Sequence, residues 1–248
     1  MNPIDRRRFL ALSAASAALS VTGRYAGAQS KIAPRDSDVF VVVDVQNCFV
    51  PGGSLAVKEG DQIVPLINRI AKSFKHVVLT QDWHTADHIS FASQHPGRKP
   101  FETVKLPYGT QVLWPDHCVQ GTEGAMLHKG LDIPHAELII RKGYRRNVDS
   151  YSAFIEADKK TPTGLGGYLR QRGLKRAFFA GLATDFCVAW SALDARRQGF
   201  EALVIEDASR GIDNQGSLAK AWTAMKLAGV KRIQSTDLAP PGQSAGKT

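Results

Sequence analysis

The feature that most constrains the fold is a repeated alternation between short apolar runs and segments of helical periodicity. The run Asp38–Val43 reads Asp-Val-Phe-Val-Val-Val and is rich in β-branched residues. Such a run is typical of a strand buried on both faces of a parallel sheet. Ile63, Leu66, Ile67 and Ile70 then recur at helical spacing. The pattern predicts a strand followed by a helix that packs against it.

The same alternation continues along the chain. Further strand-like runs occupy residues 76–80, 137–140, 176–180, 200–205 and 230–234, and helical patterns occupy 165–171, 188–196 and 215–227. Strands that alternate with helices form a parallel sheet covered by helices on both faces. We therefore predict a three-layer α/β/α fold with a central, mostly parallel six-stranded sheet. Residues 83–130 lack clear periodicity, and an irregular region of that length usually has a function.

The first 28 residues are predicted to be an export signal rather than part of the folded domain. Paired arginines, Arg7 and Arg8, precede Phe-Leu and an uncharged Ala- and Ser-rich run that is too short to span a membrane. Small residues at 26–28 favour cleavage before Gln29. The arginine pair resembles a twin-arginine signal. We expect export of the folded protein to the periplasm, a single mature domain of residues 29–248 with a disordered tail from about 239, and no stable membrane association.

Charge and cysteine content narrow the function classes. Removing residues 1–28 takes away four arginines and one aspartate, so the net charge falls from +9 to +6. The remaining basic residues form no run of five, and nothing indicates a nucleic-acid partner. The three cysteines are Cys48, Cys118 and Cys187. In an oxidising compartment an odd number cannot pair completely within one chain.

Four successive predicted strands end in chemically reactive side chains, namely Asp44, Asp82, Lys142 and Cys187. Ligands of an open parallel sheet bind beyond the carboxyl ends of its strands. A single charged strand end is more often a solvated surface charge, but four in succession indicate a site. Cys187 also begins a helical pattern, where the helix dipole is expected to favour the thiolate. A buried, inert cysteine is the alternative at this point.

These strand ends supply the parts of a cysteine hydrolase. Asp44 is the candidate base that takes the thiol proton of Cys187 and returns it to the leaving group. Lys142 would hold the carboxylate and lower the thiol pKa by its charge. The set is a Cys-Asp-Lys triad, unlike a papain-type site, which would use histidine as the base.

A second cluster has the ligand types of a metal site. Asp82, His84 and His88 offer one carboxylate and two imidazoles within a short segment, and His117 is the favoured fourth ligand. Surface histidines with ordinary hydrogen bonds are the alternative. The other four histidines are predicted to be structural or solvent-exposed; they are His76, His95, His128 and His135.

At these positions the chain resembles the nicotinamidases (also pyrazinamidases) of the isochorismatase-like cysteine hydrolases, whose fold is Rossmann-like. The matching pieces are Val43-Asp44-Val45-Gln46-Asn47 with Phe49, residues 52–57, Thr80-Gln81-Asp82-Trp83-His84, Asp87-His88 with residues 90–92, residues 114–119, Lys142-Gly143, Tyr151-Ser152-Ala153-Phe154 and residues 181–188. They cover nearly the whole of residues 29–248 in the family's order.

The resemblance implies hydrolysis of nicotinamide to nicotinate and ammonia through a cysteine thioester, with pyrazinamide as a further substrate. It assigns a role to each matching residue: Cys187, Asp44 and Lys142 as the catalytic triad, Asp82, His84, His88 and His117 as ligands of one divalent metal ion (zinc, iron or manganese), and Phe49, Trp114 and Tyr151 as the walls around the pyridine ring. It also implies a cis peptide before Ala183, which turns the backbone N–H groups of Ala183 and Cys187 towards the oxyanion.

Two other functions stay open at this point, and one departure from the family is visible. A carbamoyl or ureido amidohydrolase could use the same triad, and a periplasmic metal-binding or redox protein could keep the ligands without catalysis. Cys48 stands where the family usually has aspartate. We hypothesise a reversible disulfide between Cys48 and Cys187 that silences the enzyme. The expected partner is the small-molecule substrate, and a homo-oligomer is left open.

Overall fold

A six-stranded parallel sheet forms the centre of the computed structural model, which describes residues 31–240. The strands in chain order are β1 (Asp38–Val43), β2 (His76–Asp82), β3 (Thr103–Leu106), β4 (Gly109–Val112), β5 (Leu138–Lys142), β6 (Arg176–Leu182), β7 (Glu201–Arg210) and β8 (Lys231–Ile233). The sheet has the order β5-β2-β1-β6-β7-β8, and every neighbouring pair is parallel. The predicted α/β architecture is confirmed.

Helices cover both faces of this sheet. They are α1 (Val64–Ala71), α2 (Leu165–Gln171), α3 (Ala189–Arg197) and α4 (Ser217–Leu227). Along β1, Phe40 and Val42 pack with the apolar side of α1, whereas Val39 and Val41 face the core formed with α2, α3 and α4. Because β1 buries both faces, an uninterrupted apolar run is what this position in the sheet requires.

Strands β3 and β4 form a separate antiparallel hairpin within the region predicted to be irregular. Each has four residues and is largely exposed on one side. Strands that short give too few alternations to stand out from a loop. The hairpin places Gln111 and the following Trp114 segment over the carboxyl end of the sheet, where Gln111 is buried.

The strand order reverses at β1. From β1 the chain adds β2 and then β5 on one side, and later returns to add β6, β7 and β8 on the other. The crevice beyond the carboxyl ends of β1 and β6 is therefore a topological switch point, the usual place for a ligand in open α/β sheets. The residues that follow β1 and β6 include Asp44 and Cys187.

The predicted signal peptide, residues 1–28, lies outside the described residues, as do residues 241–248. Leu238 and Ala239 are buried, and Ala239 N–H donates to the carbonyl of Ile32 at 2.9 Å. Ala239 therefore belongs to the folded domain. Among the described residues, no helix has the length and apolar character needed to cross a membrane.

Gly181 lets the ends of β1 and β6 approach each other closely. Its φ is +129°, and a Cβ at this position would lie 2.0 Å from the carbonyl oxygen of Val43. We predict that Gly181→Ala lowers the free energy of unfolding by about 3 kcal/mol, because the backbones must separate to admit the methyl group. Urea denaturation of residues 29–248 measures the change.

Gly167→Ala is the matched control. Gly167 lies in α2, and a Cβ there would meet no atom within 4 Å. Since alanine is the better helix former, this change should be neutral or stabilise the protein by up to about 1 kcal/mol. Equal urea midpoints for the two variants would contradict the proposed close approach of the strands.

Candidate active site

The site is built around Lys142, the last residue of β5, whose side chain is fully buried. Its Nζ lies 2.7 Å from Oδ2 of Asp44 and 2.6 Å from Oδ1 of Asp82. It also donates to the carbonyl of Ser150 at 3.0 Å and lies 3.3 Å from Sγ of Cys187. The register pairs Asp82 directly with Lys142 across β2 and β5. Adjacent strand ends therefore bring together the four reactive residues that the sequence analysis selected.

Asp44 is held by a residue that sequence reasoning missed. It follows β1 with a positive φ of 47°, and its backbone N–H donates to Oγ1 of Thr80 at 3.1 Å. The Thr80 hydroxyl in turn donates to Oδ1 of Asp44 at 2.5 Å. Thr80 lies two residues before Asp82, so both side chains share one face of β2. That spacing is the sequence signal that could have identified it.

The pKa values of the two carboxylates shift in opposite directions although both side chains contact the same ammonium. Burial raises the pKa of Asp44, and the opposing charge of Lys142 does not fully offset it. Burial also acts to raise the pKa of Asp82, but Lys142 and then His84 outweigh it and hold the pKa well below its usual range. The Lys142 pKa, which burial alone would lower, is raised well above normal by both carboxylates. Asp44 is thus the carboxylate suited to accept a proton.

Cys187 lies in a π-helical turn, Thr184–Val188, that leads directly into α3. Burial raises the pKa of the Cys187 thiol well above its ordinary value; Lys142 opposes this effect and Asp44 adds to it. This direction is opposite to the prediction that a helix start favours the thiolate, because the effect of burial exceeds that of the Lys142 charge. The thiol needs a base at the moment of attack.

The peptide bond between Leu182 and Ala183 is cis, as the resemblance implies. Ala183 and Cys187 line the same cavity. Asp185, between them, accepts hydrogen bonds from the backbone N–H groups of Ile212 and Asp213 at 3.0 and 2.8 Å. Asp185 thereby ties the turn that carries Cys187 to the wall of the cavity. The oxyanion role of the Ala183 and Cys187 amides stays a prediction.

Three of the four predicted metal ligands converge. Atoms of Asp82, His84 and His117 lie within 4.8 Å of one another, and Oδ2 of Asp82 is 3.4 Å from Nε2 of His84 and 3.7 Å from Nε2 of His117. Nδ1 of His84 donates to the carbonyl of Gly143 at 2.9 Å, and Nδ1 of His117 donates to that of Pro115 at 2.8 Å. A carbonyl can only accept, so each ring carries a proton on Nδ1 and turns its Nε2 towards Asp82, the orientation that outer hydrogen bonds give to metal-binding histidines. The donor set fits a divalent transition metal.

His88 lies beside this group, with its ring centroid 4.2 Å from that of His84. Its Nδ1 accepts from Ser90 N–H at 3.3 Å, and its Nε2 donates to the carbonyl of Val148 at 3.2 Å. Burial, followed by the charge of His84, lowers the pKa of His88 to about 4, so its ring is neutral. Both nitrogens are thus engaged by protein atoms, and the ligand role of His88 stays a prediction.

The other four histidines contact non-ligand protein atoms: His76 with Glu137, His95 with Ile89, His128 with Gly130 and His135 with Ala71.

A narrow cleft opens beside Cys187, Asp82 and His117. The three residues predicted to hold the substrate ring all line it; they are Phe49, Trp114 and Tyr151. Sequence reasoning missed four further lining residues, namely Leu55, Asp149, Phe186 and Ile212. The indole Nε1 of Trp114 donates to the hydroxyl of Tyr151 at 2.9 Å, which fixes both rings. A mostly aromatic slot with a few polar groups suits a small planar ligand.

Gln46 positions Asp82 from the side of β1. Its Oε1 accepts from Asp82 N–H and its Nε2 donates to the Asp82 carbonyl, both at 2.8 Å. The same amide nitrogen also donates to the carbonyl of Ala125 at 2.8 Å. Gln46 lies in the segment that carries the family resemblance, but its partner could not be known without the strand order.

The cysteine pairing differs from the one hypothesised. Cys48 forms a disulfide with Cys118, with their Cα atoms 5.7 Å apart, and Cys187 is free and buried. The Cys48–Cys187 hypothesis is therefore wrong, because the sulfur of Cys48 is bonded to Cys118, in the loop that bears His117. The nucleophile is left unmodified by this disulfide.

Comparison with known proteins agrees with this geometry. The isochorismatase domain family matches residues 38–237. The chain is 58% identical to the nicotinamidase of Acinetobacter baylyi over 80% of this chain and 92% of that protein. It is 42% identical to the nicotinamidase of Escherichia coli over 76% and 91% of the two chains.

A solved structure extends the comparison to three dimensions. The nicotinamidase/pyrazinamidase of Acinetobacter baumanii superposes with a TM-score of 0.82 at 60% identity, covering 83% of this chain and 99% of that one. The TM-score and the sequence identity confirm the resemblance found from the motifs. The chain therefore belongs to the isochorismatase family.

Proposed function

We propose that this protein hydrolyses nicotinamide to nicotinate and ammonia, with pyrazinamide as a further substrate. The observation that carries the proposal is the contact of Lys142 with Asp44 and Cys187. Cys187 lines an aromatic cleft that Asp82 and His117 also line. Support comes from similar proteins named nicotinamidase and from two solved structures, one from L. infantum in complex with nicotinate and one from yeast bound to nicotinaldehyde.

In this mechanism the cleft binds the planar ring and presents the carboxamide carbon to Cys187. Trp114 and Phe186, which both line the cleft, meet edge to face with their ring centroids 4.8 Å apart. Asp44 takes the thiol proton, and the sulfur adds to the carbonyl carbon. The developing oxyanion is stabilised by the backbone N–H groups of Ala183 and Cys187, each worth about 3 kcal/mol.

The proton held by Asp44 then passes to the amide nitrogen, so that ammonia leaves and a nicotinoyl thioester remains on Cys187. Water, deprotonated by the same carboxylate, hydrolyses the thioester and restores the thiol. Lys142 stays an ammonium throughout, because its raised pKa resists proton loss. Its fixed positive charge stays beside the single negative charge, which passes from Asp44 to the Cys187 sulfur as the proton moves the other way.

Asp82, His84 and His117 would hold one divalent metal ion, and His88 is the predicted fourth ligand. A bound ion would supply a Lewis-acidic coordination position for the ring nitrogen of the substrate and so act mainly as a template. A pyrazinamidase from Pyrococcus horikoshii that is similar to this chain was solved in complex with zinc. Zinc, iron and manganese all suit the donor set.

We also propose that the mature domain works in the periplasm after twin-arginine export. The proposal is supported by the arginine pair Arg7 and Arg8 ahead of an uncharged run. The Cys48–Cys118 disulfide adds support, because such bonds persist mainly in oxidising compartments. A tagged form of the full chain, followed in separated periplasmic and cytoplasmic fractions, would test the location; recovery in the cytoplasmic fraction alone would contradict the proposal.

Replacing the nucleophile separates catalysis from binding. We predict that Cys187→Ala lowers kcat for nicotinamide by at least about 10⁴-fold, because no other group can form the thioester. Ammonia release measures the rate. Bound metal and the thermal midpoint should be unchanged, since a buried thiol is replaced by a methyl group. A variant that keeps more than a tenth of the wild-type kcat would rule out the thioester mechanism.

The acid limb of the pH profile should report Asp44. Burial places its pKa above the usual 3.8, and only its ionised form can accept the thiol proton. Activity is therefore full above that raised pKa and is lost as the pH falls through it. We predict that Asp44→Asn, which keeps the size of the side chain, lowers kcat/KM roughly 10³-fold and removes this limb. An unchanged acid limb in the variant would assign it to another group.

Removal of the metal should abolish turnover of nicotinamide, and add-back of the ion should restore it. We predict that His117→Ala lowers metal affinity at least about tenfold, and that His88→Ala lowers it much less, because both His88 nitrogens bind protein atoms. Metal content after gel filtration measures both. Equal losses of metal affinity in the two variants would show that His88 contributes as much to metal binding as His117 does.

Benzamide is the substrate control for the same prediction. It carries the amide but lacks a ring nitrogen, so it should react at least about 100-fold more slowly than nicotinamide in the metal-loaded enzyme. Equal rates for the two amides would show that the ring nitrogen has no ligand at this site.

A further inference from the structure

The Cys48–Cys118 disulfide joins two segments that meet at the candidate active site and are 70 residues apart in sequence. Both cysteines are almost fully buried, with exposed fractions of 1% and 2%. Neither sulfur takes part in the proposed reaction. The bond is therefore a structural link whose position, between the aromatic cleft and the metal ligands, needs its own explanation.

The Cys48 side of the link carries the cleft wall. Cys48 lies in the 3-10 turn Asn47–Phe49, and the residue that follows it in this turn is Phe49. The carbonyl of Cys48 accepts from the N–H of Leu55 at 3.0 Å. Phe49 and Leu55 both line the cleft. Movement of Cys48 would therefore move two wall residues together.

The Cys118 side carries the metal ligands. Cys118 follows His117 directly and has a positive φ of 45°. Its carbonyl accepts from the backbone N–H of His84 at 3.0 Å, and the N–H of Gln120 donates back to the His84 carbonyl at 2.8 Å. One short strip of backbone thus fixes both histidines that face Asp82. The ring of His117 also lies 5.5 Å from that of Phe49, centroid to centroid.

We propose that the Cys48–Cys118 disulfide is a positioning crosslink that holds the His84 and His117 strip against the Phe49 wall, so that metal retention and substrate affinity depend on its oxidation. The proposal rests on the metal site of the proposed function. Phe49 and His117 are the residues that bridge the two segments, and each is adjacent to one half-cystine.

The redox step balances without the active-site thiol. The two thiols of Cys48 and Cys118 give two electrons and two protons to a disulfide oxidant by thiol–disulfide exchange, and the oxidant leaves as a dithiol. A phosphine reverses the step and becomes its oxide with oxygen from water. Cys187 is bonded to neither partner, so the triad is chemically the same in both states.

A purely global staple and a local positioning link predict different results. A staple of this loop length lowers the thermal midpoint by roughly 10 °C when it is removed, but leaves the folded site unchanged well below that midpoint. A positioning link changes the site while the protein is folded. Reduction should then speed metal loss and raise KM, with kcat changed less than about threefold because the triad sits on the sheet.

The experiment compares three metal-loaded samples: oxidised wild-type protein, phosphine-reduced wild-type protein and the double variant Cys48→Ala/Cys118→Ala. All three are measured at one temperature, 20 °C below the lowest of their thermal midpoints. A chromogenic chelator follows metal release. We expect release at least about tenfold faster from the reduced protein and from the variant than from the oxidised protein. The variant should not respond to phosphine, which controls for effects of the reductant on Cys187.

Thiol counting fixes the starting state. Alkylation of denatured oxidised protein should modify Cys187 alone, and prior reduction should expose all three cysteines. Two further reactive thiols in oxidised protein, or equal metal release in all three samples, would overturn the proposal. If metal release follows the disulfide but nicotinamide is not hydrolysed, the proposed function fails and the crosslink stands. If hydrolysis occurs and release is independent of the disulfide, the reverse holds.

Discussion

The buried ammonium of Lys142 is the interaction on which the rest of the site depends. An unpaired charge in a protein interior costs several kcal/mol, and two carboxylates so close together could not both ionise without a cation between them. Lys142 meets Asp44 and Asp82 at 2.7 and 2.6 Å. The direct pairing of Asp82 with Lys142 in the sheet register makes that contact a consequence of strand pairing. The pairing of β2 with β5 therefore places Lys142 beside a carboxylate that offsets the cost of burying its charge.

The same ammonium gives the two carboxylates different tasks. Asp82 receives further stabilisation from the imidazoles of His84 and His117 and stays ionised, as a metal ligand must. Asp44 is contacted by the Lys142 ammonium and the Thr80 hydroxyl, but burial has the larger effect and raises its pKa. Two aspartates thus have different roles: Asp44 is a base that accepts a proton readily, and Asp82 is a ligand that does not. The difference in pKa comes from the groups around each side chain, and a sequence motif does not show those groups.

Much of the sheet and of the triad could be predicted from the sequence, because apolar runs and the residues that end them are local properties. The spatial order of strands is not local. Chain order places Lys142 after Asp82, but only the pairing of β5 with β2 puts the two side chains in contact. The same limit explains the wrong pairing of Cys48. Its true partner, Cys118, belongs to a segment without periodicity, so nothing in the sequence indicates where that segment returns to β1. The raised thiol pKa of Cys187 was missed because desolvation depends on the complete fold.

Rigid and irregular parts of the molecule have separate roles in this arrangement. Asp44, Lys142 and Cys187 sit at the ends of strands or in the turn that follows β6, where hydrogen bonding across the sheet fixes their backbones. Most of the cleft wall and the three candidate ligand imidazoles of His84, His88 and His117 come from segments outside the sheet, whose ordering depends on side-chain contacts. Such segments open at a lower free energy than sheet strands do. The triad can therefore keep its geometry while the wall and ligand segments vary, and a covalent link between those segments constrains the part of the site that the sheet does not.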